Sequence, residues 1–171
     1  MTTSPVTTQA TASRPVAQLA ASAPVTDILI IAHAPLASAL RDCALHVFPD
    51  AHSAIVAFDV SGKMPFDATL EAARQVLSNM AGPTTLVLTD VFGATPCNVA
   101  QKIVDVGCAR LIAGVNLPMV LRAVTYRAEP LEALVGRAMA GGTQGVMQVA
   151  SVAPQNQGWK RSDQNDNDHQ Q

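Results

Sequence analysis

The sequence predicts an α/β protein, a three-layer sandwich in which helices cover both faces of a central, mainly parallel sheet. Three observations predict it. Short apolar runs alternate with stretches of helical periodicity, the pattern of repeated βα units that feed a parallel sheet. Two of those runs, Ile28-Leu29-Ile30-Ile31-Ala32 and Leu86-Val87-Leu88-Thr89, pass directly into a titratable residue and then a helix. A late run, 145–152, alternates apolar and polar residues and reads as a strand at the C-terminal edge of the sheet.

The first strand is expected at 27–32, where five apolar residues follow Asp27. A helix follows at 35–48, with Leu36, Leu40, Cys43, Ala44 and Val47 recurring at spacings of three and four as the face toward the sheet. A second strand is expected at 54–58 and a second helix at 66–80, where Leu70, Ala73, Leu77 and Met80 repeat that spacing. The third unit is a strand at 85–89, a turn through Gly93 and a helix at 96–106 that Pro96 begins. A fourth strand is expected at 110–113, and Pro118 starts the next helix. Leu131, Leu134, Val135 and Ala138 form the face of a last helix that Gly141-Gly142 is expected to stop. Right-handed crossovers in a chain that starts at the middle of the sheet give the strand order 2-1-3-4, with the switch point between the first and third strands.

Length suits one domain, 26–153, between an N-terminal extension, 1–25, rich in Ser, Thr, Ala and Pro, and a polar tail, 154–171. Neither end has the apolar surface to offset chain entropy, so both are expected to be disordered. A net charge of -2 without Lys/Arg clusters argues against nucleic acid or an anionic membrane as partner. No leader-like apolar core and no spanning segment is present. Cys43, Cys97 and Cys108 are an odd, widely spaced set, which argues against a disulfide framework or zinc site and for a reducing, cytoplasmic setting.

The strands that end at His33 and Asp90 are the two flanking the switch point, where open α/β sheets bind ligands. A carboxylate beside an imidazole fixes which ring nitrogen carries the proton and leaves the other as an oriented nucleophile. Helix amino ends at the same rim favour a bound anion, so the chemistry expected is that of phosphate. Gly93, Ala94 and Thr95 are the candidates to hold it, through backbone N–H groups and the Thr95 hydroxyl, with the N–H groups of Leu36 or Ala37 as further donors; Pro35 has none. Plainer readings stand beside these. His33 alone can be a histidine satisfied at a strand end, Asp90 a cap for its turn, and Thr95 the cap of the helix begun by Pro96. Cys97 reads as a small core thiol, and Cys43, His46 and His52 do not have metal-ligand spacing.

Three segments, in order over about 26–152, resemble the mannose-type enzyme IIA domain of the bacterial phosphoenolpyruvate-dependent sugar phosphotransferase system. They are the strand ending in His33, the run Leu88-Thr89-Asp90-Val91-Phe92-Gly93-Ala94-Thr95-Pro96-Cys97-Asn98, and Gly114-Val115-Asn116-Leu117-Pro118-Met119. One departure is local: the family's usual Thr-His-Gly is Ala32-His33-Ala34 here, followed by Pro35. The resemblance implies a phosphohistidine relay in which His33 accepts a phosphoryl group from the phosphocarrier HPr and passes it to a IIB component. Through IIB it would serve the membrane IIC and IID components. It implies no cofactor, metal or nucleotide, and a homodimer that exchanges its C-terminal edge strand, for which 145–152 is the candidate. With no IIB domain following, the chain is expected to act on a separate partner. Three other readings differ in role: a regulatory phosphoacceptor without transport, a IIA-like phosphoryl donor to dihydroxyacetone kinase, and a nucleotide or flavin module. Against the last stands the absence of a Gly-x-Gly-x-x-Gly or Walker loop.

Overall fold

The computed structural model describes residues 25–104 and 107–149. The expected disordered ends lie outside these residues, Val25 apart. The chain runs β1 (Asp27–His33), α1 (Leu36–Val47), a single 3-10 turn (Pro49–Ala51), β2 (Ile55–Val60), α2 (Phe66–Ser78), β3 (Thr85–Thr89), α3 (Thr95–Ile103), β4 (Ala109–Ala113), α4 (Leu117–Thr125) and α5 (Leu131–Gln144). The sheet has the order β2-β1-β3-β4, and all three pairings are parallel. The order and the flanking helices agree with the sequence-based expectation.

Central β1 is apolar throughout because it is covered on both faces. Ile28, Ile30 and Ala32 point into one core with Ala37, Leu40 and Ala44 of α1, Val120 and Ala123 of α4, and Leu134 and Ala138 of α5. Leu29 and Ile31 point into the other, with Val76 and Leu77 of α2 and Ala100 and Ile103 of α3. Residues Ile28 to Ile31 are completely buried, and each such side chain stabilises the fold by about 1.5–3 kcal/mol. His33 therefore stands at the end of a strand whose residues Ile28 to Ile31 are completely buried.

Three local expectations are corrected. The buried face of α1 is Ala37, Leu40 and Ala44, whereas Leu36 and Val47 are exposed and so is Cys43. The two alanines let the helix lie close to the sheet, and that closeness selects the face over side-chain size. Gly141-Gly142 does not stop α5, which continues to Gln144. A Cβ on Gly141 would lie 2.6 Å from Cβ of Arg122, and one on Gly142 2.6 Å from Cε of Met119, so both glycines serve the close approach of α5 to α4. The expected strand 145–152 is not formed over its described part: Gly145 closes α5 and 146–149 have no regular structure. Val146, Met147 and Val149 are 77%, 72% and 86% exposed, while β4 pairs on one side only among the described residues. An alternating strand needs an edge to pair with, and 146–149 pair with none among the described residues.

Smaller shifts concern helix ends. α3 begins one residue early, at Thr95, and ends at Ile103, with Val104 already extended. α4 begins at Leu117, with Pro118 in its first turn.

Candidate active site

The register of β1 on β3, which sets Ile31 beside Thr89, brings His33 at the end of one strand against Asp90, the first residue beyond the other. Asp90 Oδ2 accepts two hydrogen bonds from His33, from the backbone N–H at 2.9 Å and from ring Nδ1 at 2.7 Å. Its Oδ1 accepts the Val91 N–H at 2.8 Å. The Asp90 side chain is 8% exposed and the His33 side chain 51%: the carboxylate is enclosed and the ring it holds faces outward. Burial pushes the Asp90 carboxyl upward, but the bonds from the His33 backbone and ring and the Val91 N–H, together with the attraction of the ring charge, outweigh it and hold the group below its ordinary value. An ionised carboxylate only accepts, so Nδ1 carries a proton, and whenever the ring is neutral the lone pair is on Nε2.

Backbone bonds from a separate segment brace the acid. Gly114 adopts φ +90°, and its N–H reaches the carbonyls of Thr89 at 2.9 Å and Asp90 at 2.8 Å, while the Val115 N–H reaches Thr89 O at 2.9 Å. Asn116 caps α4 through its bond from the Met119 N–H and donates to Gly142 O on α5. The Gly114-Val115 segment thus braces the backbone of the acid; for the loop after the fourth strand the sequence is equally consistent with a structural role and with a wall of the crevice or of a docking surface.

After Asp90 the chain turns through Gly93, at φ +82°, a conformation that favours glycine. Asn98 Nδ2 donates to Gly93 O at 3.0 Å, bracing the turn from α3. The Ala94 N–H is used inside the turn, donating to Val91 O at 3.2 Å. Ala94 is also the N-cap of α3 and gives it no side-chain cap, so Thr95 is the first helical residue and not the cap. Thr95 and His33 face a shared cleft of about 170 Å³, walled by Val60, Ser61, Met64 and Phe66. Of the three anion-binding candidates, Thr95 therefore lines the cleft with His33, Gly93 shapes the turn, and Ala94 has its N–H engaged.

On the other side of His33 the Ala34–Pro35 peptide is cis. The structure reveals a contact that sequence reasoning missed. Asp59 on β2 accepts the Ser38 N–H at 3.2 Å and, at its other oxygen, the Ser38 hydroxyl. The first turn of α1 thus carries a carboxylate at Ser38, beyond the Leu36 and Ala37 N–H groups expected to face an anion. Cys97 is buried, as expected of a core thiol. The His52 ring sits 3.3 Å from the Arg41 guanidinium.

An open parallel sheet with an oriented histidine at its switch point defines a domain suited to phosphoryl exchange on an imidazole. The chain belongs to the EIIA-man family, whose model, described as PTS system fructose IIA component, matches residues 27–139. It is thus a phosphorelay component of the sugar phosphotransferase system, a phosphotransferase by family that works among the other proteins of that system. Among solved structures it resembles the mannose/sorbose specific IIA subunit of the phosphotransferase system from Enterococcus faecalis, with a TM-score of 0.67 at 22% identity over 74% of this chain and 96% of that one. It also resembles phosphotransferase system component EIIA from Streptococcus agalactiae, with a TM-score of 0.63 at 23% identity over 72% of this chain and 96% of that one. Both likenesses speak to the fold. No curated protein matches the chain. Among the described residues no helix is long and apolar enough to cross a membrane.

Proposed function

We propose that His33 is the phosphoryl acceptor of the relay, taking the group from the phosphohistidine of HPr and passing it to a separate IIB component, and through it to the IIC and IID components of sugar uptake. The observation that carries this reading is the 2.7 Å contact between His33 Nδ1 and Asp90 Oδ2 beneath a half-exposed ring. Nε2 attacks phosphorus as the N–P bond of the donor breaks, and the donor imidazole departs with its electron pair. Donor and product are both phosphohistidines, so the bond energies nearly match and catalysis consists of in-line positioning and charge stabilisation. Asp90 holds the Nδ1 proton and offsets the positive charge that the ring acquires during attack. Thr95, with its N–H and hydroxyl at the start of α3, holds the phosphoryl oxygens, and Gly93 gives the turn the shape to present them. Ala94 contributes through that turn and not as a donor.

The test is to incubate the full chain with phosphoenolpyruvate, enzyme I and HPr. The expected product is a stoichiometric acid-labile, base-stable phosphoryl adduct, and its absence overturns the proposal.

The rim of the cleft fits a protein donor. Phe92 and Val91, next to Asp90, are 77% and 58% exposed, a large apolar pair with no partner among the described residues to cover it. Phe92→Ala should raise the half-saturating concentration of phosphorylated HPr by about tenfold while leaving the maximal rate unchanged, as read by single-turnover labelling. A fall in the maximal rate at unchanged half-saturation would place Phe92 in the chemistry and not in docking.

We infer that the relay domain spans 26–153 and works in the cytoplasm as a homodimer. What supports the dimer is that β4 has a neighbouring strand on one side only among the described residues, together with the groove of about 500 Å³ beside it between Met119 and Met139 and the exposed residues that follow α5. A strand from a second copy would satisfy both edges at once.

A further inference from the structure

Helix α1 starts without a cap of its own: Pro35 holds the N-cap position and no side chain bonds there. The missing acceptor comes from the neighbouring strand. Asp59 lies on β2 opposite Ala32, and its two oxygens take the Ser38 N–H at 3.2 Å and the Ser38 hydroxyl. One residue further along β2, Val60 O accepts the Ala34 N–H at 3.1 Å. From the opposite side Asp90 accepts the His33 N–H at 2.9 Å. The backbone from His33 to Ser38 is therefore tied to the ends of both neighbouring strands, by Asp90 just beyond β3 and by Val60 and Asp59 on β2. Of these ties, the Asp59 carboxylate is the one that fixes α1, and an anion at that helix end also suits the helix dipole.

We propose that Asp59 is a positioning residue for phosphoryl transfer, acting through Ser38 to hold the start of α1, and with it the His33 loop, in the attack geometry. This rests on His33 being the phosphoryl acceptor. Asp59 touches neither the ring nor the cleft that the phosphoryl group enters, so its effect belongs to the rate of transfer and not to binding of the donor. Displacement of a reacting atom by about 1 Å costs up to about 100-fold in rate.

The experiment is single-turnover phosphorylation of the full chain by phosphorylated HPr over a range of HPr concentrations, with thermal melting alongside. Asp59→Ala should lower the maximal rate by about 10- to 100-fold and leave half-saturation within about twofold of the wild type. Asp59→Asn keeps an acceptor oxygen for the Ser38 N–H and should recover most of that loss. Ser38→Ala, which keeps the backbone bond and loses the hydroxyl bond, should fall between wild type and Asp59→Ala, by about fivefold. An Asp59→Ala protein as fast as the wild type overturns the proposal, and so does a loss carried by half-saturation alone or an Asp59→Asn protein no better than alanine. If Asp59→Ala does not fold, the Ser38→Ala rate decides, and a wild-type rate there overturns it. A wild-type chain that takes no phosphoryl group removes the acceptor reading and this inference together. A labelled wild type with an equally fast Asp59→Ala removes this inference alone.

Discussion

Replacement of His33 by alanine is expected to abolish the acid-labile adduct, lowering transfer from phosphorylated HPr by at least about 1,000-fold. No other group at the rim can take over. Asp90 keeps its bonds from the backbone N–H groups of residue 33 and Val91, and an acyl phosphate formed on it would be base-labile, unlike the adduct measured. The loss must appear without collapse of the fold, because the ring is half exposed and makes one side-chain bond among those described. The cost in stability should stay near 1 kcal/mol. His33→Gln sharpens the test, since its amide can reach toward Asp90 but offers no nitrogen lone pair for attack, and it should be as inactive as alanine. Phosphoryl incorporation that persists in either variant would assign the acceptor to another histidine, with His46, His52 and His169 as the remaining three.

Much of this site was legible in the sequence because its placement follows from strand order. An apolar run buried on both faces, as at Ile28–Ile31, has few positions open to it other than the centre of a parallel sheet. Once β1 and β3 are neighbours, a His and an Asp at their carboxyl ends must meet. The parts that were not legible depend on clearance and on register across β1 and β2. Periodicity weights Leu36, Cys43 and Val47 by their apolar character, but α1 turns on Ala37 and Ala44 because small side chains let helix and sheet approach. Gly141-Gly142 has the composition of a helix stop, yet the space they leave is filled by Arg122 and Met119 of α4. Asp59 gave no signal at all: its partner Ser38 lies 21 residues away, and only the parallel register that sets Asp59 beside Ala32 brings the two together. Thr95 had a capping residue's chemistry just before a proline, but the turn through Gly93 starts the helix one residue earlier, so Thr95 is the first helical residue and lines the cleft.

Asp90→Asn is expected to reduce the maximal transfer rate by about 100- to 1,000-fold while leaving the half-saturating HPr concentration unchanged. The amide preserves the shape of the site and one acceptor oxygen. It loses the charge that offsets the developing imidazolium, and its NH2 group, if turned to Nδ1, stabilises the opposite tautomer and points the proton at phosphorus. The same variant tests the electrostatics of the folded state. The Asp90 carboxyl is held below its ordinary value by its bonds to His33 and Val91, against the opposing effect of burial. Such a group contributes stability that is complete above the unfolded carboxylate value of about 3.9 and is lost as pH falls through the lowered folded value. The gap in urea unfolding free energy between wild type and Asp90→Asn should therefore be widest at pH 6 and narrow toward pH 3. A gap that widens in acid would mean that the carboxyl is raised in the folded protein, and a neutral Asp90 could neither select the Nδ1 tautomer nor balance the charge on the ring. An Asp90→Asn protein that transfers at the wild-type rate would leave His33 as nucleophile but remove the carboxylate from the chemistry. The buried acid beneath the exposed ring would then be a brace for the end of β1 and nothing more.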